Sequence, residues 1–364
     1  MIAEPVRDAL LCQRPFSIKQ ADKEHTLLML LRDLTQHHRD HCPAYRQITD
    51  LAAPNGVNAR ILEDLPYLPV SLFKWRTLRS VPESEIRTTI TSSGTTGQQL
   101  SRIDLDAETA KLSAKALSLI IGSITQNQRL PFLIIDNESA LSNHNTVGAR
   151  AAAILGLMPY GRDPCFVLHE DFSVDHAKLD AFLERHPDEL ILAFGFTYLI
   201  WQYFIPACEQ HLYNLSRVIM LHSGGWKKLQ DQAVDNAKFK NKLNNAADIN
   251  RVINFYGMAE LPGTIFLENE DGLLYPPSFA DVIIRDPITL ETLPKGQPGL
   301  IQIVSALPRS YPGHSILTED IGVIEKIDGG VNDVFGNGFS VLGRAPRAEQ
   351  RGCSDVLAGK EVVA

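Results

Sequence analysis

The sequence predicts an α/β protein with a helix-covered, mostly parallel sheet and a smaller β-rich subdomain. Three observations carry that expectation. Leucines recur at helical spacing early in the chain, four short apolar runs alternate with helical stretches between 130 and 257, and the texture turns to strand and turn beyond 280.

The first hundred residues read as mainly helical. Leu27, Leu30, Leu31 and Leu34 share one helix face, in a segment that stops near Cys42-Pro43. A further helix is expected over 107–121, with Leu112, Ala116, Leu119 and Ile120 on its buried side. The four apolar runs follow. Phe132-Leu133-Ile134-Ile135 ends at Asp136, and Leu190-Ile191-Leu192-Ala193-Phe194 ends at Gly195. Val218-Ile219-Met220-Leu221 ends at His222-Ser223-Gly224-Gly225, and Val252-Ile253-Asn254-Phe255 ends at Tyr256-Gly257. Strands apolar throughout are buried on both faces, as in a parallel sheet, and such sheets bind ligands at the carboxyl ends of their strands. Glycine and polar residues collect at those ends here. Val282-Ile283-Ile284, the turn-rich stretch from Leu293 to Gly299, and Leu300-Ile301-Gln302-Ile303-Val304 form the β-rich part. The expected boundaries are 1–85 (helical), 86–280 (α/β core), 281–344 (β-rich) and 345–364 (tail).

A net charge of −8 argues against nucleic-acid binding, because no basic field is present to neutralise phosphates. The amino terminus lacks the apolar core of a signal peptide, and no stretch approaches a membrane span. Cys12, Cys42, Cys165, Cys208 and Cys353 are scattered and odd in number, so neither a disulfide framework nor a cysteine zinc site is indicated. A reducing cytoplasm is the expected compartment.

The strongest local signal is Thr91-Ser92-Ser93-Gly94-Thr95-Thr96-Gly97. Its closely spaced N–H and hydroxyl donors suit a polyphosphate, although composition alone is equally compatible with a flexible turn. It lacks the Lys-Ser/Thr pair of a Walker A loop.

This loop resembles the phosphate-binding signature of the adenylate-forming superfamily. Phe255-Tyr256-Gly257-Met258-Ala259-Glu260 resembles that family's Tyr-Gly-x-Thr-Glu segment, and further matches follow in order at Thr318-Glu319-Asp320 and Gly343-Arg344. Leu221 to Leu229, Pro312 to Asp320 and Arg351-Gly352-Cys353-Ser354 resemble the fatty-acyl-protein synthetases of bacterial luminescence operons. The resemblance implies a large adenylate-forming domain that converts a fatty or other carboxylic acid and ATP to acyl-AMP. The acyl group would then move to Cys353, and a partner acyl reductase would receive it.

The resemblance also implies roles for individual residues. The loop from Thr91 to Gly97 would cradle the triphosphate, and Glu260 would hold Mg²⁺. Ser223, Gly224, Gly225, Tyr256, Gly257 and Met258 would form the adenine slot, Asp320 would bind the ribose hydroxyls, and Arg344 would bind ribose or phosphate. His222 would contact the acyl carboxylate, a role weighed against that of a structural histidine. Two departures stand out. Position 259 is alanine where threonine is common, and the chain ends twenty residues after Arg344. The usual C-terminal lysine domain is therefore expected to be absent or vestigial. That favours the acyl-protein synthetase over two alternatives, an acyl- or aryl-CoA ligase and an inactive nucleotide-binding scaffold.

Overall fold

The computed structural model describes residues 3–53, 56–92, 100–141, 149–225 and 233–345. Among them two compact units separate, one drawn from within 3–92, 100–123 and 257–345, the other from within 124–256.

The second unit holds a five-stranded parallel sheet. Its strands are Leu130–Ile135, Gly161–Phe166, Ile191–Phe196, Val218–Ser223 and Arg251–Gly257. Numbered along the chain from 1 to 5, they lie side by side in the order 2-1-3-4-5. Four are the predicted runs, with ends moved by at most two residues. Leu190 proves exposed and outside its strand, while Gly195 and Phe196 continue it. Glycine is required at 195, because a Cβ there would sit 2.9 Å from side-chain carbons of Ile135 and Ile200. Helices His176–Arg185, Ile205–His211 and Asn236–Ala247 lie between the strands in sequence. Asp175 and Asp235 cap two of them, each accepting the backbone N–H three residues on.

The first unit is built on an antiparallel sheet. From one edge its strands are Ala280–Arg285, Gly299–Ser305, Ser315–Ile327, Asn337–Arg344, Leu274–Tyr275 and Ile265–Glu268. The short strand Leu68–Pro69 runs parallel to Ser315–Ile327, with Leu68 opposite Ile316. The 22-residue helix Gln20–His41 buries Leu27, Leu30, Leu31 and Leu34 in one core with Leu62, Leu65, Ile283 and Val304. Each such leucine contributes about 2 kcal/mol by leaving water. Lys23 of this helix is also buried, 3.3 Å from the carboxylate of Asp281.

A separate hairpin, Ile86–Thr91 with Arg102–Asp106, brackets the Ser/Thr/Gly loop. Ser92 donates its N–H to the Ser101 carbonyl (3.1 Å) and accepts the Ser101 N–H on its hydroxyl (2.9 Å). Ser93, Gly94, Thr95, Thr96, Gly97 and Cys353 lie outside the described residues. Among those described, no helix is long and apolar enough to cross a membrane.

Candidate active site

In the first unit, folding brings together residues that lie far apart in sequence. Asp320 and Arg344 face each other across the antiparallel pair of strands, with Nε and Oδ1 3.5 Å apart. The backbone N–H of Asp320 donates to the Thr318 hydroxyl (3.1 Å), which in turn donates to the Ile301 carbonyl (2.8 Å). The strand segment carrying the carboxylate is therefore fixed, while Arg344 is exposed.

Glu260, just beyond the strand Arg251–Gly257, is buried. Burial pushes its carboxyl pKa up, and the Ser101 hydroxyl, Lys74 and Arg344 offset part of that rise. Its backbone carbonyl accepts a hydrogen bond from the buried Tyr311 hydroxyl (2.8 Å). A cation beside Glu260 would favour the ionised carboxylate that burial disfavours. Among the described residues no three His, Cys, Asp or Glu side chains gather into a metal site. A cation at Glu260 would thus need further ligands from a bound phosphate, the arrangement expected for Mg²⁺ with a nucleotide.

In the second unit, Val218–Ser223 carries His222 and Ser223 to the carboxyl end of the sheet, and Ser223 is in register with Phe255, next to the half-buried Tyr256. Gly224 has φ +84°, a left-handed conformation that suits glycine, and a Cβ on Gly225 would meet nothing within 4 Å. The turn therefore presents bare backbone, as a flat aromatic base requires. His222 is 3% exposed, and burial pushes its pKa down to about 3, so the ring is neutral at pH 7. Thr91 ends the strand leading into the Ser/Thr/Gly loop, and Ser92, just past it, is buried. Gly257 and Met258 follow Tyr256, and a Cβ on Gly257 would come within 2.9 Å of Ile265.

Sequence reasoning did not single out Thr197. It is the first residue after the strand Ile191–Phe196, 5% exposed, and bonds both to the His222 ring and to the Ser223 carbonyl. The signal was present, since Thr197 is the first polar residue after an apolar run, as His222 is on the next strand.

The fold is that of the adenylate-forming ligases. It aligns with 2-hydroxyisobutyryl-CoA ligase in complex with 2-HIB-AMP and CoA at a TM-score of 0.67 and 15% identity, over 91% of this chain and 76% of that one. The post-adenylation state of the same ligase aligns at 0.68, over 91% and 69%. Within that class the assignment is specific. The chain belongs to the family described as acyl-protein synthetase, LuxE, whose profile matches residues 1–361. It is 26% identical over 337 residues to the long-chain-fatty-acid–luciferin-component ligase of Vibrio harveyi, covering 89% of this chain and 85% of that protein. The ligase of the same name from Aliivibrio fischeri is 27% identical over 288 residues, covering 74% and 72%. The chain is accordingly an ATP-dependent ligase of the adenylate-forming kind.

Proposed function

We propose that this ligase activates a long-chain fatty acid as acyl-AMP and loads the acyl group onto its own Cys353 for delivery to an acyl reductase. The observation that carries the reading is the pairing of Asp320 with Arg344 in a member of this family, with the buried carboxyl of Glu260 in the same compact unit. The names of the Vibrio and Aliivibrio relatives support the acid class.

In the first step a carboxylate oxygen of the acid bonds to the α-phosphorus of ATP, and the bond to the β-phosphate oxygen breaks, releasing pyrophosphate. Asp320 accepts hydrogen bonds from the ribose hydroxyls, and Arg344 offsets phosphate charge. The bare backbone of Ser223, Gly224 and Gly225 lies against the base, with Tyr256 stacking on it. Glu260 would hold Mg²⁺, which when bound would supply positive charge against the phosphates. In the second step the Cys353 thiolate bonds to the acyl carbonyl carbon and AMP leaves, so the thioester forms as the mixed anhydride is consumed. The enzyme is read as cytoplasmic.

The test is covalent labelling of the full chain with ATP, Mg²⁺ and a panel of radiolabelled acids, comparing wild type with Cys353→Ser. Thioester label on wild type alone is the expected result, strongest with long-chain acids. Label surviving the substitution removes Cys353 from the mechanism. Acid-dependent pyrophosphate exchange without any label would point instead to coenzyme A as the acceptor.

A further inference from the structure

In a parallel sheet of order 2-1-3-4-5, the crevice for ligands opens at the carboxyl ends of strands 1 and 3, where the connections diverge. In the second unit these are Leu130–Ile135 and Ile191–Phe196. Thr197 is the first residue past strand 3, and His222 lies opposite Gly195 on the neighbouring strand.

The Thr197 hydroxyl oxygen is 3.2 Å from the Ser223 carbonyl and 3.0 Å from His222 Nδ1. A carbonyl can only accept, so the single hydroxyl proton of Thr197 goes to Ser223. The hydroxyl then has only lone pairs to offer the imidazole, and Nδ1 must carry the proton that joins them. A neutral imidazole has one such proton, which leaves Nε2 bare. That atom is buried and meets no hydrogen-bond partner among the described residues, with the ring lying 4.5 Å from that of Phe239. Burial holds the ring neutral across ordinary pH, and the Thr197 contact sets which nitrogen keeps the proton.

We infer that Thr197 is a positioning residue, fixing His222 as the Nδ1–H tautomer so that Nε2 accepts a hydrogen bond from an N–H or O–H of a reactant. A bare lone pair repels a carboxylate or phosphate oxygen, so His222 does not hold the acyl carboxylate. The reactants offer two such donors, the 6-amino group of adenine and a hydroxyl on the acid. Their identity rests on the ligase reading; the tautomer does not.

The test is nitrogen-15 NMR of the full chain labelled at histidine, the His222 signals being those lost in His222→Gln. Wild type should show protonated Nδ1 and bare Nε2, unchanged from about pH 8 to 5. Thr197→Ser should keep that pattern, and Thr197→Val should mix the tautomers. ATP with Mg²⁺ should shift Nε2 if adenine is the donor, and inosine triphosphate, whose 6-oxo group only accepts, should not. A shift that appears only with a hydroxy acid assigns the donor to the acid. A proton on wild-type Nε2, or an Nε2 signal that neither reactant moves, overturns the inference. In kinetics, Thr197→Val should raise KM for the donor-bearing reactant about tenfold, as for one lost hydrogen bond, with kcat changed less and Thr197→Ser restoring it. Acid-dependent pyrophosphate exchange by wild type checks the ligase reading separately, and its failure would leave the tautomer result standing.

Discussion

Two sets of buried histidines invite comparison, His222 at the sheet end of the second unit and the His38–His314 pair under the helices of the first. His38 and His314 are fully buried and stacked, with centroids 4.8 Å apart. His38 accepts the Ser80 hydroxyl on Nδ1 (2.7 Å) and donates Nε2–H to the Pro308 carbonyl (3.3 Å). His314 donates Nε2–H to Thr35 (2.9 Å), whose own hydroxyl proton goes to the Leu31 carbonyl (2.8 Å). As at His222, a threonine fixes the tautomer and one ring nitrogen, here Nδ1 of His314, meets no partner among the described residues. What differs is location. His314 precedes the amino end of its strand and packs against His38 and Tyr45. His222 stands at carboxyl ends, where parallel sheets receive ligands. An orphan nitrogen does not define a site; its place in the topology does.

The sharpest way to break that contrast is substitution. His38→Ala should cost about 3 kcal/mol, from the cavity and two stranded polar partners, and leave KM values unchanged in the folded fraction. His222→Gln should do the reverse, and chemical denaturation paired with exchange kinetics would reveal any inversion. Glu260→Gln extends the test to a carboxyl. Acid-dependent pyrophosphate exchange should fall about a hundredfold, roughly 2.7 kcal/mol. Stability at pH 7 should hold or rise, because the fold disfavours the ionised form of this group.

Acid treats both histidine sites alike. Burial lowers the pKa of each ring, to about 3 for His222 and His314, while the unfolded chain titrates near 6.5. As pH falls the unfolded chain takes up protons first. The stability present above 6.5 is therefore lost below it, by up to about 2 kcal/mol per ring at pH 5. Denaturation midpoints at pH 7 and 5 would show it, and an unchanged midpoint would mean that these rings are not buried as described. The smallest effect belongs to Arg344→Ala. Its ion pair with Asp320 is open to water, so stability should change by less than about 1 kcal/mol. Affinity for ATP should weaken in equilibrium titration.

The parallel strands were legible because burial on both faces leaves an unbroken apolar run. Gly161–Phe166 was not legible. It lies at the sheet edge, carries Arg162, Asp163 and Pro164, and exposes its middle. Ser315–Ile327 mixes buried, half-exposed and exposed positions, which hid a 13-residue strand behind a general β texture. Lys23 looks like an ordinary surface lysine until Asp281, 258 positions away, is placed against it. The candidate roles of Ser223 to Gly225, Tyr256, Asp320 and Arg344 come from short motifs. Thr197 was missed because Gly195 looked like the strand's end, whereas the close approach of Ile135 and Ile200 makes it an interior position.

The interleaved composition of the first unit has a consequence for synthesis. Its opening segment also needs partners in strands beyond residue 257, as Leu68 with Ile316 and Lys23 with Asp281 show. The described part of the second unit falls within Ile124–Tyr256 and can collapse while the ribosome is still translating. The N-terminal helices must wait through most of elongation with leucines exposed, which makes nascent chains stalled before the last strands the form most in need of a chaperone.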